Sequence, residues 1–78
     1  MMAYHLSVVK NLALIDYDTR LKSYRELQAM MAKRGMIHED VTMARVAARA
    51  ISSHPLVTSV TITNATPVAV FQNGKVTR

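Results

Sequence analysis

The hydrophobic pattern of this chain changes its period at Pro55, and that change restricts the folds open to it. Before Pro55, apolar residues recur at helical spacing in two segments. After it, Val, Ile and Thr alternate in short runs separated by turn residues. Two helices followed by several strands predict an α+β domain, in which a helical hairpin packs on a small antiparallel β-meander.

The first helix is predicted from Tyr17 to Arg34. Lys33 and Arg34 lie in its last turn, where cations suit the helix dipole, and Gly35 supplies a left-handed stop. The residues that recur at helical spacing are Tyr17, Leu21, Tyr24, Leu27, Gln28 and Met31.

The residues before Tyr17 allow two interpretations. Val8, Leu12 and Ile15 lie one helical turn apart, on nearly the opposite face from Tyr17. Tyr4, Leu6 and Val8 also alternate as in a strand. We favour helix from about Ser7 onward, as a separate N-terminal helix or a continuation of the first. A helix that is apolar on two sides needs two surfaces to pack against, so this segment is a candidate interface.

A second helix is predicted from Glu39 to Ser52, after a short connection over Gly35–His38. Acidic residues suit its start, and Arg45 and Arg49 face away from its apolar stripe. We expect that stripe to consist of Met43, Val46, Ala47, Ala50 and Ile51.

The remainder predicts a three-stranded meander. The strands are Leu56–Thr63, Val68–Gln72 and Lys75–Arg78. Asn64–Pro67 forms the first turn, and Asn73–Gly74 matches a type I′ turn because both residues tolerate positive φ.

Size and composition limit the class of protein. The chain has 78 residues, which predicts one domain with a thin core. It has no cysteine, which fits a reducing compartment, and neither a signal peptide nor a bilayer-spanning segment is apparent. We therefore expect a soluble cytoplasmic protein, without disulfide or metal support, that forms a homodimer.

The sequence offers no catalytic, cofactor-binding or metal-binding pattern. His5, His38 and His54 are far apart, and no thiol is present to help them bind zinc. Asp16 and Asp18 point in different directions on a helix, and the other acids have structural explanations. The two glycines are isolated, so there is no phosphate-binding loop. We predict that the protein is not an enzyme.

The first functional hypothesis is a small regulatory or inhibitory protein that binds and modulates another protein. Stand-alone basic domains of this size are common among accessory proteins of phages and other mobile elements, and we expect such an origin. The predicted interface consists of Tyr4, Val8, Leu12, Ile15, Met31 and Met36.

The alternative hypothesis is nucleic-acid binding. The formal net charge is +5, which favours acidic partners. A helix pair followed by a β-hairpin with a basic tip resembles the element order of winged helix-turn-helix proteins. That resemblance implies that Arg45 and Arg49 enter the major groove while Lys75 and Arg78 contact phosphates.

Overall fold

The computed structural model describes residues 3–10 and 17–77, with side chains described for 3–10 and 22–77. In these residues, two helices pack on a five-stranded antiparallel sheet, which confirms the α+β prediction. The elements are β1 (Tyr4–Lys10), α1 (Tyr17–Arg34), β2 (Ile37–His38), α2 (Val41–Ser52), β3 (Val57–Asn64), β4 (Thr66–Gln72) and β5 (Lys75–Val76).

The order of strands in the sheet is β2-β1-β3-β4-β5. Strands β3, β4 and β5 are consecutive and antiparallel, so they form the predicted meander. The turn before β5 has positive φ at Asn73 and Gly74, as its type I′ prediction requires. The turn before β4 is tighter than predicted, because Ala65 adopts a φ of 63° and β4 begins at Thr66.

The prediction of helix from Ser7 onward is wrong for Ser7–Lys10, which belong to β1. Leu6 pairs with Ile62 and Val8 with Val60, so the alternating apolar residues of β1 face the core beside those of β3. Pairing with β3 places Leu6 and Val8 side by side with the buried residues of β3, so the apolar face of the segment is covered by the core. Residues 11–16, with Leu12 and Ile15, lie outside the described residues.

The connection between the helices contains a strand that was not predicted. Ile37 and His38 pair with His5 and Tyr4 at the edge of the sheet. Helix α1 ends as predicted, since Gly35 has a φ of 82° and its N–H donates to the Met31 carbonyl at 2.9 Å.

Helix α2 begins at Val41, two residues later than predicted, because Asp40 caps it by accepting the Thr42 N–H at 3.0 Å. The predicted apolar stripe is wrong for Met43, which is 54% exposed, and for Val46, which is 50% exposed, while its member Ala50 is only partly buried. Small residues allow the helix to lie close to the sheet, and this closeness fixes its rotation. The buried face consists of Ala44, Ala47, Ala48, Ile51 and Ser52.

The core lies between the sheet and α2, which crosses β3 and also meets β1 and β4. Helix α1 packs against α2, and its one fully buried residue among those with described side chains is Leu27. The largest fully buried side chains are Phe71, Leu27, Ile51, Leu56, Ile62 and Val60.

Candidate functional site

A groove runs along α2 beside the end of α1. It consists of two adjoining depressions of about 320 and 270 Å³ that share Arg34 and Val46. We call it the helix groove. Its lining residues are Lys33, Arg34, His38, Thr42, Met43, Arg45, Val46, Ala47, Arg49 and Ala50.

The floor of the helix groove is apolar. Met43 and Val46 lie about one helical turn apart, and Ala50 follows at the same spacing. These residues form a second apolar stripe on α2 that the sheet does not cover, because the alanine-rich face is the one turned inward. The groove therefore presents exposed apolar surface beside the packed core.

The rim of the helix groove is basic. Arg45 and Arg49 lie one turn apart on α2, and Lys33 and Arg34 approach from the last turn of α1. All four side chains are exposed, and no lining residue is acidic. This rim concentrates positive charge around an apolar strip.

Contacts with β4 and with the β4–β5 turn position Arg49. Its guanidinium carbon lies 5.9 Å from the centre of the Phe71 ring, a cation–π arrangement over a buried residue. Its carbonyl accepts a hydrogen bond from the Ser52 hydroxyl at 3.0 Å, and that hydroxyl accepts the Gly74 N–H at 3.0 Å. The β4–β5 turn and the last turn of α2 thus hold one end of the rim.

His38 lines the opposite end of the helix groove. Its Nε2 lies 2.9 Å from the Gly35 carbonyl, to which it donates a hydrogen bond. The bond joins the end of α1 to β2, and it orients the ring beside Met43 and Lys33.

The predicted interface residues do not form a single exposed patch in the described part of the chain. Tyr4, Val8, Met31 and Met36 are partly buried and pack against the core. The remaining two, Leu12 and Ile15, lie outside the described residues.

The predicted nucleic-acid residues are separated by the sheet. Arg45 and Arg49 meet on the groove rim, on the helix side. Lys75 pairs with Gln72, whose neighbour Phe71 faces the core, so the register places Lys75 on the opposite face. Arg78 lies outside the described residues.

The sequence does not single out Lys33, Arg34, Met43 or Val46 as site residues. The helix dipole accounts for Lys33 and Arg34, and helical spacing places Met43 and Val46 in the predicted core stripe. The signal that could have revealed them is the spacing of Ala44, Ala47, Ala48 and Ile51, which offers α2 an alternative inward face.

Comparisons of the chain with protein-family models, curated proteins and solved structures gave no match. Within residues 3–10 and 17–77, no three His, Cys, Asp or Glu side chains are close enough to hold a metal ion. No helix in the same residues is both long and apolar enough to cross a bilayer.

Proposed function

We propose that this protein binds and modulates another protein by holding an acidic, amphipathic segment of it in the helix groove. The observation that carries the proposal is the exposed Met43–Val46 floor inside a rim of four cations without an acid. An apolar floor selects apolar side chains, and a rim of one sign selects the opposite charge beside them.

The dimensions of the helix groove suit a short helix. From Thr42 to Ala50, α2 rises about 12 Å, which corresponds to a little over two helical turns. A bound helix of that length brings two or three apolar side chains, spaced one turn apart, onto Met43, Val46 and Ala50. Glutamates on the flanks of that helix then meet Arg45 and Arg49, which have the same one-turn spacing.

The proposed role is regulatory or inhibitory rather than catalytic. The lining combines apolar and cationic side chains with Thr42 and His38, and His38 is engaged with the Gly35 carbonyl. Such a surface holds a partner through contact area and charge, and it modulates the partner by covering the bound segment.

A synthetic helical peptide tests the proposal. It carries Leu at one-turn spacing and Glu on both flanks, and its matched control replaces each Leu with Ser. Titration into the isotopically labelled protein, followed by amide chemical shifts, should give shifts at Arg34, Thr42, Val46 and Arg49. The control peptide should bind at least tenfold more weakly, because it retains the charge but lacks the apolar side chains.

Three variants separate the floor from the rim. Val46→Gln should weaken peptide binding without changing its salt dependence. Arg45→Gln should weaken binding and also reduce the salt dependence. Arg25→Gln removes an exposed arginine of α1 outside the groove and should change little. Equal binding of the two peptides, or shifts away from the groove, would contradict the proposal.

Nucleic-acid binding is the second candidate, favoured by the approach of Arg34 to Arg45 and Arg49. It is tested by titrating duplex DNA at low and moderate salt. Binding whose logarithm falls steeply with salt, and which Val46→Gln leaves unchanged, would assign the groove to phosphates. Absence of DNA binding at low salt would remove this candidate.

A further inference from the structure

The helix groove contains one depression that is lined by three arginines and no lysine. We call it the arginine pocket. Its volume is about 320 Å³, and its lining residues are Arg34, Thr42, Arg45, Val46, Arg49 and Ala50. The adjoining depression has Lys33 as well as Arg34. Two different helices therefore bring guanidinium groups, and no ammonium group, to the arginine pocket.

The positive charge of the arginine pocket is not neutralised by its own lining, because none of the lining residues is acidic. Asp40 is close in sequence, but its carboxylate caps α2 by accepting the Thr42 N–H at 3.0 Å. All three arginine side chains are exposed, so their N–H donors are accessible to an anion from solution.

Arg49 is oriented before any ligand binds. Its guanidinium carbon lies 5.9 Å from the centre of the Phe71 ring, and that ring is fully buried. Cation–π attraction to the ring restricts the Arg49 side chain and leaves its N–H groups free to donate. Arg45 lies one helical turn before Arg49, so both guanidinium groups can reach the same ligand. A side chain that is restricted in this way loses less entropy on binding.

We propose that the arginine pocket binds a phosphate monoester group on the partner's segment, which makes the partner a phosphorylated protein. This inference rests on the proposed function and adds the chemical group that the groove recognises. At neutral pH a phosphate monoester carries about −1.5 to −2 charges and three strong acceptor oxygens, whereas a glutamate carries one charge and two oxygens. A guanidinium donates two parallel N–H groups to such oxygens, which an ammonium group cannot do. Three arginines around one depression therefore match phosphate better than carboxylate.

The surroundings of the arginine pocket favour a phosphorylated protein over a nucleic acid. The floor at Val46 and Ala50 is apolar, and it continues to the exposed Met43 in the adjoining depression. Apolar side chains next to a phosphorylated residue cover this strip, whereas a sugar–phosphate backbone has no such groups. A nucleic acid also repeats its charge along its length and needs a track of cations. Lys75 does not extend the pocket into such a track, because it lies on the opposite face of the sheet.

Three helical peptides with the same Leu residues test the proposal. They carry phosphoserine, glutamate or serine at the position that faces the arginine pocket. In isothermal titration, the phosphoserine peptide should bind about tenfold more tightly than the glutamate peptide, and the serine peptide should bind most weakly.

Arg45→Lys separates guanidinium geometry from charge. The variant keeps the positive charge but loses the paired N–H donors, so the preference for phosphoserine over glutamate should fall to about twofold. Arg45 is exposed, so the variant should keep the fold, and circular dichroism establishes this. Arg25→Lys, at an exposed α1 position outside the groove, is the matched control and should retain the full preference.

Inorganic phosphate gives a readout that does not require a peptide to bind. Added to the isotopically labelled protein at constant ionic strength, phosphate should shift the Nε–Hε resonances of Arg34, Arg45 and Arg49 more than acetate does. Equal shifts with the two anions would overturn the proposal, and so would equal binding of the phosphoserine and glutamate peptides.

The outcomes separate this inference from the proposed function. Equal binding of the phosphoserine and glutamate peptides leaves the amphipathic segment standing without a phosphate. If no peptide binds but phosphate still shifts the three arginines, the amphipathic segment is wrong and the phosphate site stands. Tighter binding of duplex DNA than of the phosphoserine peptide would overturn the assignment to a phosphorylated protein.

Discussion

Ser52 is the only buried polar residue found in the described part of the chain, and it is fully enclosed. Its hydroxyl donates to the Arg49 carbonyl and accepts the Gly74 N–H. It therefore uses both hydrogen-bonding capacities of a serine to join the last turn of α2 to the β4–β5 turn. Glycine suits position 74 because its φ of 76° is a left-handed conformation that other residues rarely adopt.

We predict that Ser52→Ala lowers the free energy of unfolding by about 1–3 kcal/mol, because the Gly74 N–H loses its acceptor. Urea unfolding followed by circular dichroism measures the change. Ser53→Ala is the matched control, since the Ser53 hydroxyl donates to the Ala50 carbonyl but is exposed. An equal loss in the two variants would show that the link to Gly74 contributes nothing.

At the scale of elements, the close packing of α2 on the sheet depends on small side chains. Ala44 and Ala48 are fully buried and Ala47 nearly so, which lets the helix approach β3 closely. Hydrophobicity alone favours turning Met43 and Val46 inward, but their larger side chains need more separation from the sheet. The space between the layers therefore leaves them exposed, and this exposure creates the floor of the helix groove.

We predict that Ala48→Leu lowers the free energy of unfolding by about 1–3 kcal/mol through overpacking against the sheet. Ala32→Leu on the exposed side of α1 is the control, because Leu and Ala have similar helix propensity. Thermal unfolding of both variants measures the difference. If Ala48→Leu is as stable as the control, α2 does not lie as close to β3 as the structure has it.

The elements that could be predicted from sequence are those with local signals. Helix α1 is marked by the helical spacing of its apolar residues and by Gly35 at its end. The β4–β5 hairpin is marked by the turn residues Asn73–Gly74. Strand β1 could not be predicted in the same way, because its pattern fits helix or strand until the distant β3 pairs with it. Strand β2 has only two residues, too few for a period.

The candidate site was predictable only in part. Arg45 and Arg49 follow from helical spacing alone. Their apolar neighbours depend on how α2 rotates, and the spacing of its alanines offers a second inward face without deciding between the two. Arg34 depends on where α1 ends beside α2, which is set by tertiary packing. Element order alone groups Lys75 with the two arginines, whereas the register of β5 places Lys75 on the other face of the sheet.

At the scale of the whole molecule, stability is distributed unevenly. Among α1 residues with described side chains, Leu27 is fully buried, while Tyr24, Met30 and Met31 are partly so. The centre of the sheet is more enclosed, since Val60, Ile62 and Phe71 are fully buried. A thinly attached helix opens at lower free energy than the sheet.

We predict that native-state hydrogen exchange gives smaller opening free energies for amides of α1 than for Val60 and Ile62 of β3. The β3 values should equal the global free energy of unfolding, whereas those of α1 should lie below it. Adding denaturant distinguishes local from global opening. The expectation fails if Leu27 and Val60 exchange with the same opening free energy.

The position of β1 inside the sheet has a consequence for the order of folding. Its longest pairing is with β3, which follows both helices in the chain. Closing this large loop costs entropy before the sheet can gain its contacts, so the pairing of β1 with β3 is expected to limit the folding rate. During synthesis, the β1 residues Tyr4, Leu6 and Val8 leave the ribosome before β3 does, so their apolar face stays uncovered until Val60 and Ile62 follow.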